Sequence, residues 1–461
     1  MWTKSKPDST PEMDTQIDIR YRGILKVAAP IALGSFVQFI VVFTDNFFLA
    51  KLSETHMNAA GNAGLSYVSL LMVIIGLSSG IQILVARRIG EQDYAAAYRT
   101  LRIGVQTAAI AGVLLLGVCL ALYYGVFTAA IEDPELSGLM QDFFGIRMLG
   151  FLVYPAGAAV LAFYMGAART NILLYTTLLM AVVNIALDYA LIFGHWGLPA
   201  LGIKGAAWAT LIAEALALVY IGTYARRDGY LRSCRASTFE HDPKRTPNAL
   251  RKQLLKVSTP IAIQQFAALT TFTIFFFLIE RLGEAALNTS HIIRNMYVLM
   301  FVAMMGIGQA AKTYISTLIA ERRQHDLKRT IVRLLVLNWF GWLLLSHGMW
   351  LYPETIVHLF TDDPEIVEGT VGSMKIVLVA MFLATFSSVF INVIEGAGKT
   401  RVAMAIELVA TALFLTVATL ITQIWPQPIQ RIWMNDWLYF GFIALSSVTF
   451  LWKRPWQHHQ I

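Results

Sequence analysis

Apolar residues in this chain follow neither the 3.6-residue beat of an amphipathic helix nor the alternation of a half-buried strand. They run on for the length of a bilayer crossing. Such stretches fall at about 24–50, 58–86, 103–128, 139–166, 172–194, 203–224, 254–280, 287–319, 331–352, 369–394, 402–424 and 434–452. In hydrocarbon every backbone N–H and C=O must find its partner inside the segment, so these runs predict helices, twelve of them. The expected fold class is an all-α membrane protein. At roughly 20 residues per crossing, the spans use up most of the 461 residues and leave no room for a folded soluble domain. A large extramembrane enzyme domain is excluded, and with 57% hydrophobic and 14% charged residues the composition agrees.

The connectors sort by charge. Those after the second, fourth, eighth and tenth runs carry Arg87, Arg88, Arg99, Arg169, Arg322, Arg323, Lys328, Arg329, Lys399 and Arg401. The long connector 226–253 adds Arg226, Arg227, Arg232, Arg235, Lys244, Arg245, Arg251 and Lys252. The connectors after the third and ninth runs are acidic, with Glu132, Asp133 and Glu135, then Asp362, Asp363 and Glu365. By the positive-inside rule both termini are cytoplasmic. Orientation thus accounts for the net charge of +7, and no nucleic-acid partner is expected. The first twenty residues are polar and lack the apolar core of a signal peptide, so they read as a tail. Cys119 and Cys234 lie too far apart in the chain to suggest a disulfide framework or a thiolate metal site. Trp425, Trp433, Trp437 and Trp452 fall near helix ends, where interfacial anchors sit.

The strongest feature is internal. Shifting the chain by 230 residues superposes Leu25-Lys26-Val27 on Leu255-Lys256-Val257 and Pro30-Ile31-Ala32 on Pro260-Ile261-Ala262. Without a gap, Gly76 then meets Gly306, Glu91 meets Glu321, Arg99-Thr100 meets Arg329-Thr330, and Asp133-Pro134-Glu135 meets Asp363-Pro364-Glu365. Gly166-Ala167 and Thr170 meet Gly396-Ala397 and Thr400. Each unit holds six helices, an even number, so the halves are parallel repeats related by an axis along the membrane normal. The predicted plan is a tail (1–23), a six-helix lobe (24–225), a basic linker (226–253), a second lobe (254–452) and a second tail (453–461). Transporters of this build bind cargo between their repeats and rock one lobe against the other. A channel or receptor is the competing class.

Chemistry is expected where one half carries a polar group that the other lacks. Asp45 in the first span stands opposite Phe275, Asn184 in the fifth opposite Phe414, and Asp188, one turn further, opposite Ala418. A carboxylate in hydrocarbon costs several kcal/mol, so it faces a cavity, pairs, or binds a proton or cation. Asn184 and Asp188 share a helix face at i and i+4. A shared pocket with Asp45 would hold either one proton between the acids or Na⁺ among their oxygens. In the bland alternative Asp45 caps or ion-pairs near the interface and Asp188 is solvated at its helix end. Pro30 should bend the first helix and free a carbonyl, a role that Pro260 repeats.

Other charges interrupt the spans: Glu214 and Glu407, and the cations Arg147, Arg294, Lys312 and Lys375. A basic half-cavity would suit anionic or zwitterionic cargo, yet the same residues can snorkel or pair locally. His291 and His347 read as packing residues, since no His/Cys cluster has metal spacing. Gly396-Ala397-Gly398-Lys399-Thr400 resembles the end of a P-loop, but Val393 occupies the first glycine position and no strand precedes it. No nucleotide, metal or other cofactor is expected. Transport energy must then come from an ion gradient, H⁺ or Na⁺, or from a partner ATPase.

Several of these pieces together carry a family resemblance. They are Pro30 followed by Asp45, the glycine-rich second span running into Arg87-Arg88-Ile89-Gly90-Glu91, the paired GAART and GAGKT connectors, and Gly205-Ala206-Ala207-Trp208-Ala209-Thr210. Over residues 21–452 the chain resembles the multidrug and toxic compound extrusion (MATE) family. The resemblance implies two lobes around a central cleft in a bacterial-type plasma (inner) membrane, with export of organic, often cationic, small molecules against H⁺ or Na⁺ by a monomer. The pattern is most similar to the DinF-like branch, which implies a cation-coupling site at Asp45, Asn184 and Asp188, with Thr210 beside them. The further acids of the NorM-like branch are missing, as the seventh span offers Gln264 and Gln265 instead. Those two, with Arg294 and Lys312, are the candidate substrate-cavity residues. The runner-up function is a flippase for a lipid-linked saccharide or another anionic, lipid-like substrate.

Overall fold

A computed structural model describes residues 16–126, 133–237, 246–453 and 456–458. Most of the first tail, the middle of the linker with Pro243, and Glu132 of the acidic connector lie outside the described residues.

Twelve spanning helices follow one another. In the first half they are α1 (Tyr21–Ala50), α2 (Glu54–Gly90), α3 (Tyr94–Ala121), a bent α4 (Pro134–Arg147, then Gly150–Gly166), α5 (Asn171–Phe193) and α6 (Ile203–Arg227). The second half has α7 (Pro247–Glu280), α8 (Glu284–Ala320), α9 (Gln324–Leu351), α10 (Pro364–Gly396), α11 (Thr400–Thr419) and α12 (Asn435–Lys453). Ten are long and apolar enough to cross a membrane alone, and α4 does so as two halves bent by 46°. In α12, Asn435 and Asp436 dilute an otherwise apolar run. The break in α4 falls beside Arg147, whose buried charge is paired inside the lobe.

The repeat is visible in how the helices start and stop. Asp133 caps α4 through the Glu135 amide at 2.9 Å, and Asp363 does the same for α10 through Glu365 at 2.9 Å, with proline at the first helical position each time. This arrangement satisfies two of the free amides of a helix start and explains why Asp-Pro-Glu occurs twice. Left-handed residues end helices at the same offset: Gln92 (φ 59°) matches Arg322 (φ 56°), and Ala168 (φ 55°) matches Gly398 (φ 82°).

Helices α1 and α2 of the first lobe pack on α7 and α8 of the second. Glycine permits the approach: a Cβ on Gly76 would sit 2.5 Å from the Ala262 backbone, and one on its repeat mate Gly306 would sit 2.7 Å from the Ala28 carbonyl. Cross-lobe hydrogen bonds gather at the end of the bundle that carries the termini. Gln82 Nε2 donates to the Gln309 carbonyl and to Thr313 Oγ1, both at 2.9 Å, while Ser316 Oγ donates to the Ile83 carbonyl at 2.8 Å. There α2 from Ile74 and α8 from Gly306 are buried almost all round. Earlier in α2, Ala59, Ala60, Ala63 and Tyr67 bury a single face. The lobes therefore part there, and the cleft opens away from the termini.

Two segments outside the spans are held by the fold. The chain at Ile17–Arg20 is no free tail, because the Ile17 amide donates to Glu321 at 3.1 Å and the Asp18 carbonyl accepts from Tyr314 at 3.0 Å. The linker is also partly helical, over Gly229–Ala236, and buries Tyr230, Leu231 and Cys234.

Candidate functional site

The interior of the first lobe is built by α1, α5 and α6 around four polar side chains. Asn184 and Asp188 are 2% and 0% exposed, and the half-buried Asp45 lies beside Asp188. Asn184 Nδ2 donates to Thr210 Oγ1 at 3.3 Å, and Thr210 in turn donates to the Ala206 carbonyl at 3.0 Å. Asp45 Oδ1, both oxygens of Asp188 and Asn184 Oδ1 are buried and have no donor. Four such acceptors facing inward are costly unless something positive lies among them. A proton held between the carboxyls, or a small cation, fits that arrangement.

One cation stands close by. Arg147, at the break of α4, pairs with Glu214 of α6 at 3.0 Å, lies 4.3 Å from the centre of the Tyr67 ring, and is near enough to Asp45 to act on its charge. The sequence marked Arg147 and Glu214 as intramembrane charges, but their partnership depends on helix rotation and so could not be read from it. Glu214 neutralises Arg147, and among the described residues neither Asp45 nor Asp188 makes an ion pair.

Pro30 sits inside α1, where its ring removes the amide that would bond Lys26. The Thr170 hydroxyl, from the start of α5, lies 3.4 Å from the Lys26 carbonyl and donates to that of Val27 at 2.8 Å. The helix carrying Asp45 is thereby tied to the helix carrying Asn184 and Asp188.

In the second lobe the equivalent space is filled with rings. Phe275, opposite Asp45 in the repeat, has its ring centroid 5.1 Å from Phe414 and 5.3 Å from Trp433. The candidate substrate residues divide. Gln264 and Gln265 line a cavity of about 280 Å³ inside this lobe, together with Glu407 and Asp436. Lys312 and Arg294 are not among its lining residues. Lys312 is buried at the lobe contact, 2.8 Å from Glu395 and 3.2 Å from Ser79 Oγ of the first lobe. Arg294 lies over the Phe276 ring at 5.2 Å. The sequence reading passed over Asp436 and Glu395; the signal available for each was an acid inside or at the end of an apolar run.

Two six-helix lobes crossing a membrane, with a cleft between them and an isolated carboxyl pair inside one, define a multi-pass membrane transporter rather than an enzyme. The MatE family model matches residues 30–190 and again residues 260–420, two stretches separated by the repeat offset of 230, and the chain belongs to this family of multidrug efflux transporters. Relatives include probable multidrug resistance proteins NorM from Thermotoga maritima (25% identical, covering 84% of this chain and 82% of the relative) and Rhizobium meliloti (24%, 89% and 88%). Among solved structures, a MOP superfamily transporter from Pyrococcus furiosus superposes with a TM-score of 0.83 at 17% identity, covering 97% of this chain and 98% of that one. An outward-facing multidrug resistance MATE family transporter gives 0.82 at 18% identity, covering 94% of each. These structural likenesses establish the twelve-helix, two-lobed fold.

Proposed function

We propose that the protein is a secondary antiporter of the DinF-like branch, exporting small organic cations in exchange for protons. The observation that carries this reading is the Asp45–Asp188 pair, a half-buried and a fully buried carboxyl side by side, with no donor to Asp45 Oδ1 or to either oxygen of Asp188 among the described residues. The closeness of the two carboxyls favours H⁺, since one proton can be shared between them, whereas Na⁺ takes a fuller shell of oxygens. Asn184 and Thr210 position Asp188, and Pro30 with Thr170 positions α1. No nucleotide takes part.

In this reading the lobes are 24–225 and 254–452, the monomer is the working unit, and the membrane is a bacterial inner membrane with both termini in the cytoplasm. The cleft then opens outward and the sealed contact lies on the cytoplasmic side. Proton binding at Asp45/Asp188 and cargo binding favour different lobe arrangements, and that difference in affinity couples the two flows. The flippase alternative needs a basic cavity. Lys312 and Arg147 are instead committed to Glu395 and Glu214, which supports cationic cargo.

The test is ethidium efflux from proteoliposomes with a pH or a Na⁺ gradient imposed separately. The pH gradient should drive wild-type efflux, the Na⁺ gradient should not, and Asp45→Asn should reduce efflux to the level of empty vesicles. Efflux driven by Na⁺ alone would overturn the choice of ion.

A further inference from the structure

The chain enters the first lobe by way of the second. Ahead of α1, residues 17–20 form no helix and reach across to the end of α8, the turn after it and the start of α9. Their backbone is gripped from the other lobe. The Ile17 amide donates to Glu321 Oε1 at 3.1 Å, Tyr314 Oη donates to the Asp18 carbonyl at 3.0 Å, and the Ile17 and Ile19 carbonyls accept from Arg323 Nη1 at 3.2 Å and Arg333 Nη1 at 2.9 Å. The gripping side chains are themselves held in place. Arg323 is fixed by Glu321 and Asp326, each at 2.8 Å, and Arg333 lies 5.6 Å from the centre of the Tyr21 ring. Ile19 is buried in an apolar cluster shared with Tyr314, Leu318 and Leu327.

The repeat shows that this strap is an addition to the scaffold. Its mates at the offset of 230, residues 247–250, are simply the first turn of α7. The grips are unmatched as well, since Tyr314, Arg323 and Arg333 stand where the first lobe has Leu84, Asp93 and Ile103. Gly23 belongs to the same set. A Cβ there would sit 2.2 Å from the Asp18 carbonyl oxygen, so glycine lets the strap fold back closely over the first turn of α1, and its repeat mate is Gln253. A contact that only finished the start of α1 would have no need of the other lobe. Guanidinium hydrogen bonds are among the stronger ones, and these lie at the sealed end, which a transporter that alternates access must open in each cycle. We propose that residues 17–20 are a latch that holds the lobes together at the sealed end and must release Tyr314, Arg323 and Arg333 before that end can open. The strap runs directly into α1, so the helix it ties to the second lobe is the one that carries Asp45. While engaged, the latch favours the arrangement in which the cleft opens away from the termini.

The test follows maleimide labelling of Ser316→Cys, a position 0% exposed at the lobe contact, in full-length protein in lipid nanodiscs with Cys119→Ala and Cys234→Ala as background. This parent should label slowly. Gly23→Ala, which pushes the strap away, and the pair Arg323→Gln with Arg333→Gln, which lets it go, should each speed labelling by about tenfold. Arg333→Lys, which can still donate to the Ile19 carbonyl, should label nearer the parent rate. Because both changes act through one strap, adding Gly23→Ala to the arginine pair should speed labelling little further, whereas packing loosened at two independent places would multiply. Gln82→Ala breaks a seal contact away from the strap and should multiply with Gly23→Ala. If the arginine pair fails to fold, as read from its thermal transition, Gly23→Ala alone and combined with Gln82→Ala decides the matter. Rapid labelling of the parent, parent-like labelling in the strap variants that fold, or multiplication between Gly23→Ala and the arginine pair overturns the latch.

Discussion

The two lobes descend from one pattern and use its centre in opposite ways. Where the first places Asp45, Asn184 and Asp188, the second places Phe275, Phe414 and Ala418, packed with Trp433 into a ring cluster. One centre gives up packing to hold acceptors that no described residue satisfies; the other gives up that chemistry and packs. A duplicated scaffold can afford this division because helix starts, helix ends and the glycine contacts between lobes are kept in both copies. The comparison also assigns a different cost to a substitution in each half. Changes at the first centre should remove transport and leave the fold, while changes at the second should weaken the fold.

The largest effect is therefore expected from Asp188→Asn, which should abolish gradient-driven efflux while purified protein keeps a wild-type thermal transition. Phe275→Ala should invert that result, costing about 3–5 kcal/mol of stability by opening a cavity among the rings, as read from thermal unfolding in detergent. Lys312→Met should leave Glu395 buried without its partner and cost a similar 3–5 kcal/mol. Because Lys312 also reaches Ser79 across the lobe contact, this variant should in addition raise the labelling of a cysteine placed at the sealed end. The double variant Lys312→Met, Glu395→Leu should recover most of the stability. The smallest effect is expected from Thr170→Val, which loses one hydroxyl bond to the α1 backbone, worth about 1 kcal/mol, with a modest fall in efflux. A large loss of efflux there would mean that α1 positioning is more delicate than the carboxyl pair itself.

Much of the scaffold was legible because it is written in length and repetition. Span lengths follow from bilayer thickness, and rare residues recurring at one offset, such as Asp133-Pro134-Glu135 with Asp363-Pro364-Glu365, carry real information in a biased composition. The broken symmetry at Asp45 and Asp188 was legible for the same reason. Pairings were not. Whether Lys312 faced a cavity or an acid depended on the rotation of α8 against α10, which no apolar run encodes, and Glu395 drew no notice beside a connector glycine. The cavity of the second lobe was legible only in part: Glu407, Gln264 and Gln265 stood out as polar groups within spans, but Asp436 at the start of α12 did not, and that these residues share one cavity depended on helix rotation.

The most direct test of the central claim, that Asp45 and Asp188 hold the coupling proton, is to count protons released when ethidium binds to purified protein in weakly buffered solution containing a pH indicator. Stoichiometric release from wild type, absent in Asp45→Asn at matched saturation, is the predicted result. Binding with no release from wild type, or equal release from the variant, would contradict it.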